Sequence, residues 1–121
     1  MELNIFNINN IPVAEVMDSK VVVNTVQDAV ELLANCRYQG ADRIIISKDQ
    51  IIPEFFDLKT RIAGEILQKF SNYQVQVAIV GDYSGFTSKS LKDFIFESNK
   101  GNLVGFVGSI DEAKNRLAKI N

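Results

Sequence analysis

The chain has 121 residues, 46% hydrophobic and 23% charged, with a net charge of −2 and no histidine. That is the size of one domain, with enough apolar content to fill a core and no basic stripe for a nucleic-acid backbone. Without histidine there is no imidazole base and no His metal site; the single cysteine, Cys36, excludes an internal disulfide and a zinc-thiolate site within the chain. The longest apolar runs are three or four residues, far short of the ~20 that cross a bilayer. MELNIFNINN has neither a basic n-region nor an apolar h-region, so no secretory signal is expected, and a lone cysteine fits a reducing compartment. The expected location is cytoplasmic.

Glu2 to Ile8 is rich in strand formers, Val13 to Met17 reads as a second strand and Lys20 to Val23 as a third, with turns at Asn9-Asn10 and Asp18-Ser19. The expectation is an antiparallel meander, with room for one segment to be merely extended. Thr25 stands as an N-cap with Asp28 in the capping-box place. Val26, Ala29, Val30, Leu33 and Cys36-Arg37 keep helical spacing, and Gly40 supplies the stop. Cys36 then reads as a small buried hydrophobe rather than a reactive thiol.

Ile44-Ile45-Ile46, within Arg43 to Ser47, is a β-branched run of the kind covered on both faces. Pro53 to Tyr73 follows as the longest stretch with one helical period, and Pro53 fits a first turn, where a missing N–H costs nothing. Phe55, Leu58, Ile62, Ala63, Ile66, Phe70 and Tyr73 fall on one face, with Phe56 and Leu67 at its margin. Lys59 and Lys69 interrupt this stripe. Either their stems lie along apolar surface with the amines in water, or Lys59 points into a polar pocket at the end of the preceding strand.

Val75 to Gly81 is a second buried strand, and Gly81 to Gly85 a turn-rich loop. Ser88 or Ser90 caps the next helix, which puts Leu91, Phe94, Ile95 and Ser98 on one side and ends at Asn99-Lys100-Gly101. Phe96 lies off that face, covered by another element or open to a partner. Leu103 to Val107 is the last strand. Ser109 and Glu112 make a capping box for a final helix whose Ile110, Ala113, Leu117 and Ile120 face inward. A meander followed by α-β-α-β-α-β-α predicts a single α/β domain with a mixed, mainly parallel sheet and about four helices, because parallel connections need long crossovers.

No G-x-x-x-x-G-K-[ST] and no G-x-G-x-x-G occurs, which leaves carboxylate, lysine and hydroxyl chemistry. Asp57, Arg61, Glu65 and Lys69 are spaced four apart, as a solvated ladder of alternating charge or as a partner-binding face; such pairs contribute about 0.2–0.5 kcal/mol each. Asp82, Tyr83 and Ser84 with Ser88-Lys89-Ser90 open a helix at a strand end, where open α/β sheets bind ligands and helix N-termini attract anions. A turn plus an N-cap explains the same residues, as a C-cap explains Glu97 to Gly101. Parallel pairing would end Ile44 to Ser47 and Val75 to Val80 on one edge, bringing the Lys48 to Lys59 connection beside the Asp82 to Ser90 loop. The candidate site is therefore a polar patch of Asp57, Lys59, Thr60, Asp82, Ser84 and Ser88, continued by Arg61 and Glu65. No catalytic residue, metal or cofactor is assigned.

The blocks IIPEFFDLKTRIAGEILQKFSNY, VAIVGDYS and SKSLKDFIFESNKG, with the closing aromatic strand, resemble a small bacterial family known only as a domain of unknown function (DUF family 4180). The resemblance runs from about Val21 to Leu117 and implies no reaction. In architecture the chain is also similar to STAS domains, the anti-sigma-factor-antagonist fold, whose order is a strand hairpin, a helix, then alternating strands and helices. That likeness implies a working site between a buried strand and the next helix, where an Asp-Ser-Ser-Gly-like segment offers a phosphorylatable hydroxyl. Ile44 to Ser47 would be the strand and Asp57 the matching Asp, with Lys59 in place of the serine two residues on and Thr60 the nearest hydroxyl.

The leading expectation is a non-enzymatic regulatory or protein-binding module of STAS-like architecture, acting through Asp57 to Glu65. Its partner would be another protein or a second copy, held through the N-terminal strands; neither nucleic acid nor membrane is expected. A small-ligand or anion binder at the joined strand ends comes second. An enzyme using Asp57 or Asp82 with Lys59 comes last.

Overall fold

Asn9 and Asn10 both take positive φ, 50° and 67°, in the two-residue turn that folds β1 (Leu3–Ile8) onto β2 (Ile11–Val16). Asparagine visits the left-handed region more readily than most residues, and a turn of this hand matches the twist of the flanking strands. The computed structural model describes residues 1–119. After the hairpin come α1 (Val26–Tyr38), β3 (Arg43–Ser47), α2 (Ile62–Asn72), β4 (Gln76–Val80), α3 (Lys89–Lys100), β5 (Val104–Val107) and α4 (Ile110–Leu117). The sheet runs β1-β2-β3-β4-β5, antiparallel only between β1 and β2. This is the expected α/β domain with a mixed, mainly parallel sheet.

Each crossover steps to the next strand in the same direction. Right-handed connections therefore stack α1, α2 and α3 on one face. There Ala14, Ile44, Ile46, Val77, Ile79 and Phe106 meet Leu32, Leu33, Ile66 and Phe70 in the main core. The opposite face is served by α4, whose Ala113 and Leu117 bury Val13, Ile45, Ala78 and Val107. With one strand residue facing each layer in turn, Ile44-Ile45-Ile46 has to be apolar throughout. Pro12 is tolerated because pairing to β3 begins only at Ala14, so its missing N–H lies beyond that ladder.

The N-terminal meander is a hairpin only. Lys20 to Val23 forms no strand; Val23 makes an isolated parallel bridge to Ile51, and the N–H groups of Val22 and Val23 donate to Gln50 O. Gln50 explains the departure. Its buried side-chain amide donates to Val16 O at 3.0 Å and Asp18 O at 2.5 Å, and accepts from Ser47 N at 2.7 Å. The chain is drawn across the end of β2 instead of pairing beside it.

The stretch Pro53 to Tyr73 is not one helix. Pro53–Phe56 and Leu58–Thr60 are single 3₁₀ turns, and the α-helix starts only at Ile62, after Arg61 at φ 65°. Local side chains compete with the helical ladder here. Asp57 Oδ1 accepts from Lys59 N at 3.2 Å, and Thr60 Oγ1 lies 2.8 Å from both Glu54 O and Asp57 O. The breaks let adjacent Phe55 and Phe56 both turn inward, edge-to-face at 4.9 Å. Tyr73, expected on the buried face, is 42% exposed.

The cap of α1 is as expected: Thr25 and Asp28 form the reciprocal box. Ser88, not Ser90, caps α3. Ser109 accepts from Glu112 N, but the Glu112 carboxylate reaches back to Gly108 N. Ile110 is 38% exposed rather than inward, and Ile120 lies outside the described residues. Phe96 is 62% exposed, so no element covers it; the Lys100 ammonium sits 4.6 Å from its ring centroid.

The β5 edge is closed by side chains. Asn99 on α3 donates to Phe106 O at 3.1 Å and accepts from Phe106 N at 2.7 Å, acting as one rung of a strand. Ser98 Oγ donates to Val104 O at 2.5 Å. Arg116 lies across Gly105, where a Cβ would fall 2.0 Å from its Nε, and donates to Asn99 O and Gly101 O.

Candidate functional site

β3 and β4 run parallel in the register Ser47↔Val80, so they end together and release two loops on one edge. The first, residues 48–61, carries the 3₁₀ turns. The second, residues 81–88, leads into α3. They meet where Phe56 stacks on Phe86 at 5.2 Å with 20° between ring planes. Tyr83 and Phe106 complete an aromatic floor, and the Tyr83 hydroxyl donates to Ile79 O at 2.6 Å. Burial pushes that phenol above its usual range.

A cleft of about 240 Å³ opens beside this stack, lined by Val21, Lys48, Asp49, Ile51, Pro53, Phe56 and Phe86. Lys48 owes its position to Gly81, because a Cβ there would sit 2.7 Å from Lys48 Cβ. The lysine stem lies in that space, and its ammonium reaches 5.6 Å from the Phe86 centroid and 3.8 Å from Asp49 Oδ1. Nearby, Asp82 Oδ1 accepts from Ser84 Oγ at 2.7 Å and from Ser84 N at 2.9 Å. These two bonds, with the Lys48 charge assisting, hold the Asp82 carboxyl below its usual range.

The expected patch is therefore two groups joined by an aromatic bridge. Asp57, Lys59, Thr60 and Arg61 form an exposed knuckle over Phe55 and Phe56. Asp82, Ser84 and Ser88 lie in the second loop. No ion pair or hydrogen bond joins the two groups among the described residues. Glu65 leaves the patch altogether and lines a wider groove with Val26, Gly64, Gln68 and Lys69. The ladder Asp57-Arg61-Glu65-Lys69 does not form, since its first two members precede the helix. Lys59 is exposed and is not part of the lining of the cleft beside Phe86. The Thr60 hydroxyl is committed to the turn, and also accepts from Ile62 N at 3.3 Å. Ser88 Oγ is engaged as the α3 cap, 3.2 Å from Leu91 N.

Lys48, Val21 and Phe86 were not among the candidates. A glycine ending a buried strand and a lone aromatic between Gly85 and Thr87 are the signals that point to them. Cys36 is fully buried, and its thiol is pushed up to about 12. At neutral pH it carries essentially no thiolate, in line with a packing role.

Over residues 8–117 the chain matches the family described as "Domain of unknown function (DUF4180)". It belongs to this family. No curated protein and no solved structure matches the chain. Among the described residues of this DUF4180 domain, no helix is long and apolar enough to cross a membrane. No group of three or more Cys, Asp or Glu side chains among them is placed to hold a metal ion.

Proposed function

We propose that this domain is a non-enzymatic, cytoplasmic binding module whose protein partner docks on the joined ends of β3 and β4. The observation that carries this reading is the juxtaposition of an open apolar cleft with a charged, hydrogen-bonded knuckle. Val21, Ile51, Pro53, Phe56 and Phe86 wall a space for one apolar anchor, while Asp57, Lys59 and Arg61 stand at its side. Apolar centre and polar rim is the anatomy of a protein interface, in which a seated side chain supplies most of the affinity. The likeness to STAS domains supports the same place, since 53–61 occupies the connection between a buried strand and the following helix.

A regulatory role would work by docking rather than by modification at Thr60, whose hydroxyl is already spent on the turn. The small-molecule alternative draws on Lys48 at the cleft mouth. Asp49 and Asp82 offset that charge, which weakens the case for an anion. A carboxylate–lysine enzyme has least support, because Asp57, Lys59 and Asp82 are all exposed rather than enclosed.

The test is affinity capture with the native chain beside a Lys59→Glu/Arg61→Glu variant and a Val21→Arg variant. A partner retained by the native chain should be lost or at least tenfold weaker with both, at unchanged circular dichroism. If every retained partner binds all three equally, the surface is misplaced.

A further inference from the structure

We propose that β1 is an assembly edge: two copies of the chain pair β1 to β1, antiparallel about a two-fold axis at Ile5, and merge their sheets into one of ten strands. This inference is independent of the cleft. It starts from the phase of the hairpin. The turn closes on the Ile8↔Ile11 pair, and at the far end Met17 N donates to Glu2 O at 2.9 Å. Bond-exchanging pairs alternate along an antiparallel ladder. Asn4, Phe6 and Ile8 therefore direct their N–H and C=O to β2, whereas Leu3, Ile5 and Asn7 direct theirs outward. Beyond the β1–β2 ladder, no bond among the described residues uses these outward groups.

Leu3, Ile5 and Asn7 are spaced evenly about Ile5. Setting Ile5 opposite Ile5 of a second copy sets each Leu3 opposite the other copy's Asn7. All three are then bond-exchanging pairs, and every outward N–H and C=O gains a partner. A slip of one residue aligns none of them, and a slip of two leaves one unpaired. One register satisfies the whole edge.

The side chains fit this register. Leu3 and Ile5 are only half-buried over the main core, and Phe6 and Ile8 only half-buried over the second. From Leu3 to Ile8 there is no charge and no proline, the devices with which open edges block pairing. Glu2 falls across from Ile8 of the other copy, which keeps the two carboxylates roughly 20 Å apart.

The rest of the fold explains why assembly would stop at two. With the Phe106 groups and the Val104 carbonyl of β5 taken by Asn99 and Ser98, and Arg116 bonded beside them, each chain offers one open edge among its described residues. One self-complementary edge gives a closed two-fold dimer, whereas two open edges would allow a filament.

Sedimentation velocity over a concentration series, together with amide hydrogen exchange, tests this. The native chain should sediment as a dimer with the Leu3, Ile5 and Asn7 amides protected. Ile5→Pro removes the donor on the axis while leaving the ladder to β2. Ile5→Lys places two ammonium groups on the axis and needs no backbone change, so it decides the matter if the proline variant fails to fold. Each should halve the sedimenting mass at unchanged far-UV circular dichroism. A native chain that is monomeric at every concentration overturns the proposal and leaves the edge to a strand of a different chain. So does a dimer that survives a folded Ile5→Lys variant, which would have to form elsewhere.

Discussion

The two edges of the sheet meet the same physical demand in opposite ways. At β5 both outward groups of Phe106 are bonded by Asn99 and the Val104 carbonyl by Ser98, and Arg116 lies over Gly105. At β1 the outward groups of Leu3, Ile5 and Asn7 have no such cover among the described residues. An exposed strand edge is ordinarily a liability, and a protein that seals one edge so thoroughly has the means to seal the other. The difference leaves β1 as the open edge on which the proposed pairing rests, and β5 as a structural terminus.

The largest expected effect lies at the sealed edge. Asn99→Ala leaves the part-buried N–H and C=O of Phe106 without their partner at once. At 1–3 kcal/mol for each group so abandoned, tempered by partial access to water, the cost should be about 2–3 kcal/mol. Urea denaturation should show a lower midpoint at unchanged slope. A loss below about 0.5 kcal/mol, within the range of ordinary surface changes, would mean that water serves the edge as well as the amide does.

Next comes Gly105→Ala. Its methyl group would occupy the space of the Arg116 side chain, which would have to swing away from Asn99 O and Gly101 O. The expected cost is about 1–2 kcal/mol, at the low end of overpacking because Arg116 is flexible. Arg116→Ala should cost a similar amount, and the double variant less than the sum, because both remove the same contacts. Strict additivity in that cycle would show that the arginine and the glycine act separately.

How much of this was legible in the sequence depended on the range of the interaction. Thr25 with Asp28 and Ser109 with Glu112 act within one helical turn, so their spacing marks the starts of α1 and α4 directly. Ile44-Ile45-Ile46 and Val77 to Val80 announce doubly covered strands through composition alone. The break at Asp57 to Arg61 escaped because a 3₁₀ turn keeps residues three apart on one side, so Phe55, Leu58 and Ile62 carry a helix-like spacing straight through it. Asn99 was legible as a helix ending but not as a strand rung, since its partner Phe106 belongs to the next element and is reached only after the chain reverses. The candidate site was half legible for the same reason. Parallel strand ends bring the two loops together, but the residues at the junction, Lys48, Phe56 and Phe86, are chosen by packing across the gap.

The smallest effect belongs to the turn that holds β1 in place. Asn10 at φ 67° is in a region that costs an ordinary L-residue roughly 1–2 kcal/mol and asparagine less, so Asn10→Ala should destabilise the chain by about 1 kcal/mol. Asn10→Gly, which suits the conformation, should stay within a few tenths of the native value. Chemical denaturation of the monomeric Ile5→Lys background separates this cost from any contribution of assembly. Exchange at the Asn4, Phe6 and Ile8 amides should quicken in the alanine variant, while the Phe106 amide, tied to Asn99 at the far edge, should not change. If alanine proves as stable as asparagine, the turn is not left-handed in solution. The alternation that sends Leu3, Ile5 and Asn7 outward would then rest on the Met17 N to Glu2 O bond at the far end alone.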